Sequence, residues 1–254
     1  MSQYKTAFYA DRHESSVYSA NVILNHVQEV LPSIRSALDL GCGVGTWLSV
    51  LHQKGVDEIC GVDGPWVDTS LLEIPESKFR IADLEKSVAF DRKYDIAISL
   101  EVAEHLSPSC ASTFVDSLTA ASDFVLFSGA IPFQGGSNHV NEQWPEYWVA
   151  LFEARGYEVV DCVRSSIWTD DRIPTWYRQN TFLYVRRERL SDVNIEKGGR
   201  PFPTLAVVNP DSFVNKVSTV KVSWRTFRKA LKRWFLQKSG DLLPGTKGYP
   251  PAEK

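Results

Sequence analysis

The 254-residue sequence contains no run of about 18 apolar residues, so it predicts no transmembrane helix. Its first residues, Met-Ser-Gln-Tyr-Lys, lack the apolar segment of a signal peptide. No Cys-x-x-Cys pair occurs among the four cysteines, although such pairs are typical of zinc and redox sites. These absences favour a cytoplasmic protein with reduced thiols.

Acidic residues are missing from the stretch 216–238, which contains eight lysine or arginine residues. The net charge of the whole chain is −3, so the rest of the chain carries −11. An acidic body argues against a broad nucleic-acid-binding surface. Within 221–238 the apolar residues fall on one helical face: Trp224, Phe227, Leu231, Trp234 and Phe235. Such a basic amphipathic helix is typical of peripheral contact with the inner, anionic face of a membrane, but it equally fits docking onto the acidic body.

A glycine-rich turn follows the first predicted strand. The residues Ala-Leu-Asp-Leu-Gly-Cys-Gly-Val-Gly begin at position 37 and place Asp39 near the end of that strand. Gly41, Gly43 and Gly45 have no Cβ, so this backbone can take positive φ and approach a ligand closely. A second short strand ends at Asp63, about the spacing at which a carboxylate binds ribose hydroxyls in a nucleotide-binding βαβ unit.

From residue 36 the sequence alternates predicted strands and helices, which is typical of an α/β fold with a doubly wound parallel sheet. Strands are predicted near 36–40, 58–63, 78–82, 94–100, 123–129, 157–163 and 181–186. Helices are predicted within 1–35, over 46–54, from Ser107-Pro108 onward and over 145–155.

The glycine turn with its two aspartates resembles motif I and its acidic partner in class I S-adenosylmethionine-dependent methyltransferases. A dinucleotide-binding motif would need glycine where Thr46 stands, and no Walker lysine is present. The resemblance implies a Rossmann-like, mostly parallel seven-stranded sheet that ends in an antiparallel hairpin, with S-adenosylmethionine as cofactor.

The resemblance also implies cofactor-binding roles. Gly41, Gly43 and Gly45 would receive the methionine part with Asp39 near its ammonium group, and Asp63 would bind the ribose. Asp83 would accept a hydrogen bond from the adenine amino group and Leu84 would donate its N–H to the ring, although a turn aspartate is the alternative for Asp83. The remaining expected cofactor residues are Cys42, Gly64, Leu100 and Glu101.

The fourth predicted strand leads into Glu101-Val102-Ala103-Glu104-His105, a Glu-x-x-Glu-His pattern that resembles Methyltransf-23-like and ubiquinone-biosynthesis O-methyltransferases. His105 has the chemistry of a general base, with Glu104 and His139 as further catalytic candidates, but it would equally serve to orient Glu104. A second interpretation places Mg²⁺ on Glu101, Glu104, His105 and His139, as in small-RNA 2′-O-methyltransferases.

A polar loop follows the fifth predicted strand, and its residues predict the acceptor site. Planar amides and aromatic rings suit hydroxyl-rich ligands such as sugars, although tryptophan is more often a core residue. The predicted substrate-binding residues are Asn138, His139, Asn141, Glu142, Gln143, Trp168 and Arg172.

These patterns predict a methyltransferase domain over 1–190 with a helical lead-in, a linker or extended segment over 191–215, a basic amphipathic helix over 216–238 and a disordered tail over 239–254. The expected activity is O-methylation of a hydroxyl on a small molecule or a glycan, including a glycan built on a lipid carrier at the membrane face. Two alternatives are metal-assisted methylation of a catechol-like or ribose hydroxyl, and a cofactor-binding scaffold without activity.

Overall fold

The computed structural model describes residues 2–218 and 228, with side chains described from residue 13 onward. The chain divides into two units, 1–213 and 214–254. The first unit is a seven-stranded sheet with helices on both faces. Of the second unit, the structure describes the last residues of one helix and Arg228. None of the described helices is both long and apolar enough to cross a membrane.

The strands are β1 (Ser36–Leu40), β2 (Glu58–Asp63), β3 (Phe79–Ile81), β4 (Ile96–Leu100), β5 (Phe124–Ser128), β6 (Tyr157–Val160) and β7 (Phe182–Arg186). Their order across the sheet is β3-β2-β1-β4-β5-β7-β6. The first five are parallel, and β7 runs antiparallel to both β5 and β6. The predicted sheet and its terminal hairpin are therefore confirmed.

The α-helices are α1 (Ser2–Val30), α2 (Thr46–Gln53), α3 (Ala111–Ala121), α4 (Pro145–Glu153), α5 (Arg164–Ile167), α6 (Thr175–Asn180) and α7 (Pro210–Ser218). The helix predicted from Ser107-Pro108 starts as a 3₁₀ turn over Pro108–Cys110, and α3 follows it directly.

The core consists of two apolar layers, one on each face of the sheet, because residues of a strand point alternately to opposite faces. One layer joins α1 and α2 to the sheet, with Ile23, Leu24 and Leu48 fully buried. The other joins α3 and α4 to it, with Phe114 and Phe152 buried. Strands β1, β4 and β5 are buried along their whole length, as expected of central parallel strands.

The predicted boundary between linker and basic helix at residue 216 is wrong, because α7 begins at Pro210. Asn209 caps this helix, since its side-chain oxygen accepts from the N–H of Asp211 at 3.0 Å, and proline is favourable at the first helical position. The rest of the predicted basic helix, apart from Arg228, and the tail 239–254 lie outside the described residues.

Candidate functional site

A cleft of about 190 Å³ opens at the carboxyl ends of β1 and β4, and we refer to it as the glycine-loop cleft. Ligands of open α/β sheets bind at this edge of the sheet. The cleft is lined by Ser16, Asp39, Gly41, Cys42, Gly43, Val44, Thr46, Trp47, Ile98, Leu100 and Tyr177. It therefore brings together five of the predicted cofactor residues: Asp39, Gly41, Cys42, Gly43 and Leu100.

The glycine turn is held open by the strand beside it. Gly43 has a φ of 55°, and a Cβ added there would meet no atom within 4 Å, so the backbone leaves free space on that side. Asp63 fixes this shape, because the N–H of Gly43 donates to one carboxylate oxygen at 2.7 Å and that of Gly64 to the other at 2.6 Å. The predicted ribose-binding carboxylate thus also braces the loop.

Asp39 differs from Asp63 in having no bracing partner. Among the described residues, none donates a hydrogen bond to its buried carboxylate within bonding geometry. Desolvation, and secondarily the charge of Asp63, raises the pKa of Asp39 well above its usual value. Burial also raises the pKa of Asp63, while its two backbone donors oppose that shift. A cation placed in the cleft would relieve both acids.

Other predicted cofactor residues lie outside the lining of the cleft. Gly45 precedes α2 as its N-cap with a φ of 87°, and Leu84 is buried in the core. Asp83 is exposed, forms an ion pair with Lys86 at 3.0 Å and accepts from the N–H of Glu85, so it has the geometry of a turn aspartate. Its adenine-binding role stays a prediction.

Three aromatic residues at this site are not among the predicted cofactor-binding residues. Trp47 and Tyr177 line the cleft, and the exposed ring of Trp66 lies against Gly64, beside Asp63. Trp47 and Trp66 follow the two motifs directly, which is a usable signal. Tyr177 is far from both motifs in the chain, so only the fold brings it near.

The Glu-x-x-Glu-His segment places an acid beside two imidazoles. Glu104, His105 and His139 each offer a ligand atom, and these atoms lie within 4.8 Å of one another. Glu104 is fully buried, and neither carboxylate oxygen has a hydrogen-bond partner among the described residues. Desolvation and then the charge of Glu101 raise the pKa of Glu104 to about 9. Desolvation, followed by the nearby His139, lowers the pKa of His105.

Glu101 is not among the described residues whose ligand atoms lie within 4.8 Å of one another, so its predicted part in a four-ligand set stays a prediction. Its backbone adopts a φ of 55°, and its N–H donates to Ser128. Gln134 donates to one carboxylate oxygen at 2.7 Å, and Asn180 donates to the other at 3.4 Å. Two side-chain amides therefore fix the position of the Glu101 carboxylate.

The loop between β5 and α4 uses several predicted acceptor ligands to build itself. Glu142 accepts from the backbone N–H groups of Phe133 and Gly135 at 2.8 and 2.6 Å and lies 3.0 Å from Nδ1 of His139. Asn141 is buried, and Gln143 donates to its side chain at 3.0 Å. In the ligand-free protein, Asn141, Glu142 and Gln143 therefore brace this glycine-rich loop, and their acceptor-binding roles stay predictions.

The other predicted acceptor residues are dispersed. His139 lies within the imidazole group and Asn138 is exposed nearby in the chain. Trp168 packs on Phe202 with ring centroids 4.6 Å apart. Arg172 lines a separate cavity of about 760 Å³ along α1, where it stacks over Tyr18 and pairs with Asp170.

Comparisons with known proteins agree with this architecture. Residues 12–161 match the protein-family model described as a methyltransferase domain. The fold is similar to a sugar N-methyltransferase from Streptoalloteichus sp. (17% identity, TM-score 0.54, 72% of this chain and 92% of that one). It is also similar to an amino pentose methyltransferase from Micromonospora echinaspora (14% identity, TM-score 0.52, 72% of this chain and 96% of that one). An O-methyltransferase family protein from Burkholderia thailandensis is similar as well, with 13% identity and a TM-score of 0.53 over 72% of this chain and 59% of that one. No curated protein sequence matches the chain.

Proposed function

This chain belongs to the family of S-adenosylmethionine-dependent methyltransferase domains, and from that membership we propose that it methylates a hydroxyl oxygen on a small molecule or a glycan. The observation that supports an oxygen acceptor is the convergence of Glu104, His105 and His139 just after β4. The sugar-methylating neighbours share only the fold, so the acceptor class rests on the chemistry of this group.

The residues of the glycine-loop cleft fit the cofactor. Free space beside Gly43 accommodates a ligand, and the Asp39 carboxylate offers an unmatched negative charge to its ammonium group. S-adenosylmethionine supplies a methyl group that is already activated, so the protein contributes mainly by holding donor and acceptor in line.

His105 is the proposed general base. Its lowered pKa keeps the imidazole neutral at pH 7, so its free nitrogen accepts the proton that the acceptor hydroxyl loses as the new C–O bond forms. The T-shaped contact with His139, whose ring centroid lies 4.8 Å away, orients the His105 ring.

A second candidate function is metal-assisted O-methylation, and the unpartnered oxygens of Glu104 favour it. One buried carboxylate and two imidazoles form a donor set that suits a divalent transition metal better than the predicted Mg²⁺, which prefers oxygen ligands. A bound cation would lower the pKa of an acceptor hydroxyl.

A methyl-transfer screen against glycans and quinol-like phenols, with and without EDTA, tests these alternatives. We expect His105→Ala to lower turnover by about 10²- to 10⁴-fold with little change in S-adenosylhomocysteine affinity. His52→Ala is the matched control, because His52 is an exposed histidine on α2.

Each outcome selects one function. Activity that resists EDTA and falls in His105→Ala supports the base. Activity that EDTA abolishes and Mg²⁺ restores supports the metal. Cofactor binding without transfer to any acceptor would leave a scaffold and reject both enzymatic proposals.

A further inference from the structure

The short helix α6 supplies an aromatic wall to the glycine-loop cleft. Tyr177 lines the cleft together with the glycine turn, although the two are far apart in the sequence. Its ring meets that of Trp47 edge-on, with centroids 5.3 Å apart and planes at 72°. Burial, and then the charge of Glu101, raises the pKa of Tyr177 to about 12. The phenol is therefore neutral at physiological pH and presents a ring and a dipole, not a charge.

The charged side chains around this aromatic wall are all negative among the described residues of the lining. Asp39 is the ionisable carboxylate in the lining, and the charges of Asp39 and Glu101 both act on Tyr177. Among the described lining residues there is no lysine, arginine or histidine. Aromatic faces and carboxylates that enclose a partly dry space attract a compact cation.

The position of Tyr177 is fixed by the three residues that follow it on α6. Arg178 donates to the carbonyl of Trp168 and to the Asp211 carboxylate, both at 2.9 Å. Gln179 accepts from the N–H of Asn209 at 2.7 Å. Asn180 donates to Gln134 at 2.8 Å, next to Glu101.

A buried arginine adds a second anchor for the same helix. Arg164 donates to the carbonyls of Gln179 and Leu205, at 3.2 and 2.8 Å, while Asp161 binds its other nitrogens. The segment 199–211 thus holds α6 against the sheet, and the wall is preorganised before a ligand arrives.

We propose that Tyr177 contacts the bound cofactor and, together with Trp47, makes the cleft prefer the sulfonium of the methyl donor over the neutral thioether of its product. This inference rests on the assignment of S-adenosylmethionine as cofactor. Both ligands carry the ammonium group assigned to Asp39, but only the donor carries a positive sulfur. An interaction of the aromatic rings with that sulfur therefore discriminates between the two ligands. The preference would help to release the product after each turnover.

Calorimetry with S-adenosylmethionine and S-adenosylhomocysteine measures this preference directly, without an acceptor. We expect Tyr177→Leu to weaken binding of the donor about fivefold or more and binding of the product less than twofold. Tyr177→Phe keeps the ring and should retain the parent ratio. Tyr94→Leu is the matched control, since Tyr94 is a half-buried tyrosine beside Phe90 at the other end of β4.

Three results would overturn the inference. Equal weakening of both ligands would give Tyr177 a purely structural role, and unchanged binding of both would remove it from the site. A parent protein that binds neither ligand would refute the cofactor assignment and this inference with it. If Tyr177→Leu fails to fold by circular dichroism, Trp47→Leu provides the same comparison, with the same shift in the ratio expected.

Discussion

Two buried aspartates at neighbouring strand ends have different tasks, which is visible only at the scale of single residues. Asp63 accepts two backbone N–H groups and so belongs to the loop as much as to the ligand. Asp39 is buried without such donors among the described residues. A group that is costly to keep charged in the empty protein is typical of binding sites, where function is gained at the expense of stability.

The raised pKa of Asp39 predicts a stability change with a definite sign. The pKa of Asp39 in the folded protein lies above the unfolded value of 3.8. The stability of the folded protein associated with the protonated carboxyl is therefore fully present below pH 3.8 and is lost as the pH rises through the folded pKa. In ligand-free protein, Asp39→Asn should therefore melt at a higher temperature than the parent at pH 7. That gap should shrink as the pH falls towards about 4.

Thermal denaturation between pH 4 and pH 8 measures this gap, and calorimetry should show weaker cofactor binding by the same variant. Asp57→Asn is the control, since Asp57 is an exposed aspartate just before β2. A gap of constant size across the pH range would refute the assignment of a raised pKa.

At the scale of elements, the glycine turn combines backbone strain with an open face. Gly43 and Gly55 both have positive φ, 55° and 88°, and an added Cβ would meet nothing within 4 Å at either position. Gly43 lines the cleft, whereas Gly55 follows α2. Substitutions at the two glycines therefore separate the loss of stability caused by a left-handed backbone from the loss of ligand affinity caused by filling the cleft.

We expect Gly43→Ala and Gly55→Ala to lose similar stability, about 1–2 kcal/mol each, because both force an L-residue into a left-handed conformation. Only Gly43→Ala should lose cofactor affinity, since its methyl group enters the space that a ligand uses. Urea denaturation and S-adenosylhomocysteine calorimetry on both variants test this. Equal affinity in the two variants would show that the turn does not contact the cofactor.

The elements differ in how far the sequence could predict them. All seven strands were predicted within about three residues. For β1, β4 and β5 the reason is that buried parallel strands are continuous apolar runs. The positions of Asp39 within the last residues of β1 and of His105 after β4 were predictable from the strand pattern, while their roles stay predictions. The bracing role of Glu142 and the approach of Tyr177 depend on loop shape and on β7 insertion, which leave no local pattern. The start of α7 at Asn209-Pro210 had a readable capping signal.

For the whole molecule, the separation of charge predicts a measurable membrane preference. The stretch 221–238 is predicted to bury its aromatic residues in the headgroup region while its cations meet anionic phosphates, each worth about 1 kcal/mol. Full-length protein should then co-sediment with anionic liposomes but not with neutral ones. High salt should weaken that binding by screening.

Deletion of residues 219–254 is the matching variant. The shortened protein should stay in the supernatant and bind S-adenosylhomocysteine as tightly as the full chain, because the cleft residues lie within 16–177. Aggregation or a large drop in melting temperature after the deletion would mean that the stretch covers the protein's own body, and the membrane proposal would fail.

The strand order has a consequence for the chain as it leaves the ribosome. β7 is synthesised last but lies between β5 and β6, so β6 has no partner and β5 keeps an open edge until residue 186 has emerged. α6, which carries Tyr177, precedes β7 by one residue. The last wall of the cleft therefore emerges just before the strand that seals the aggregation-prone edge, and it is anchored only when residues 205–211 have followed. Cofactor uptake by the nascent protein would then report that its sheet is already complete.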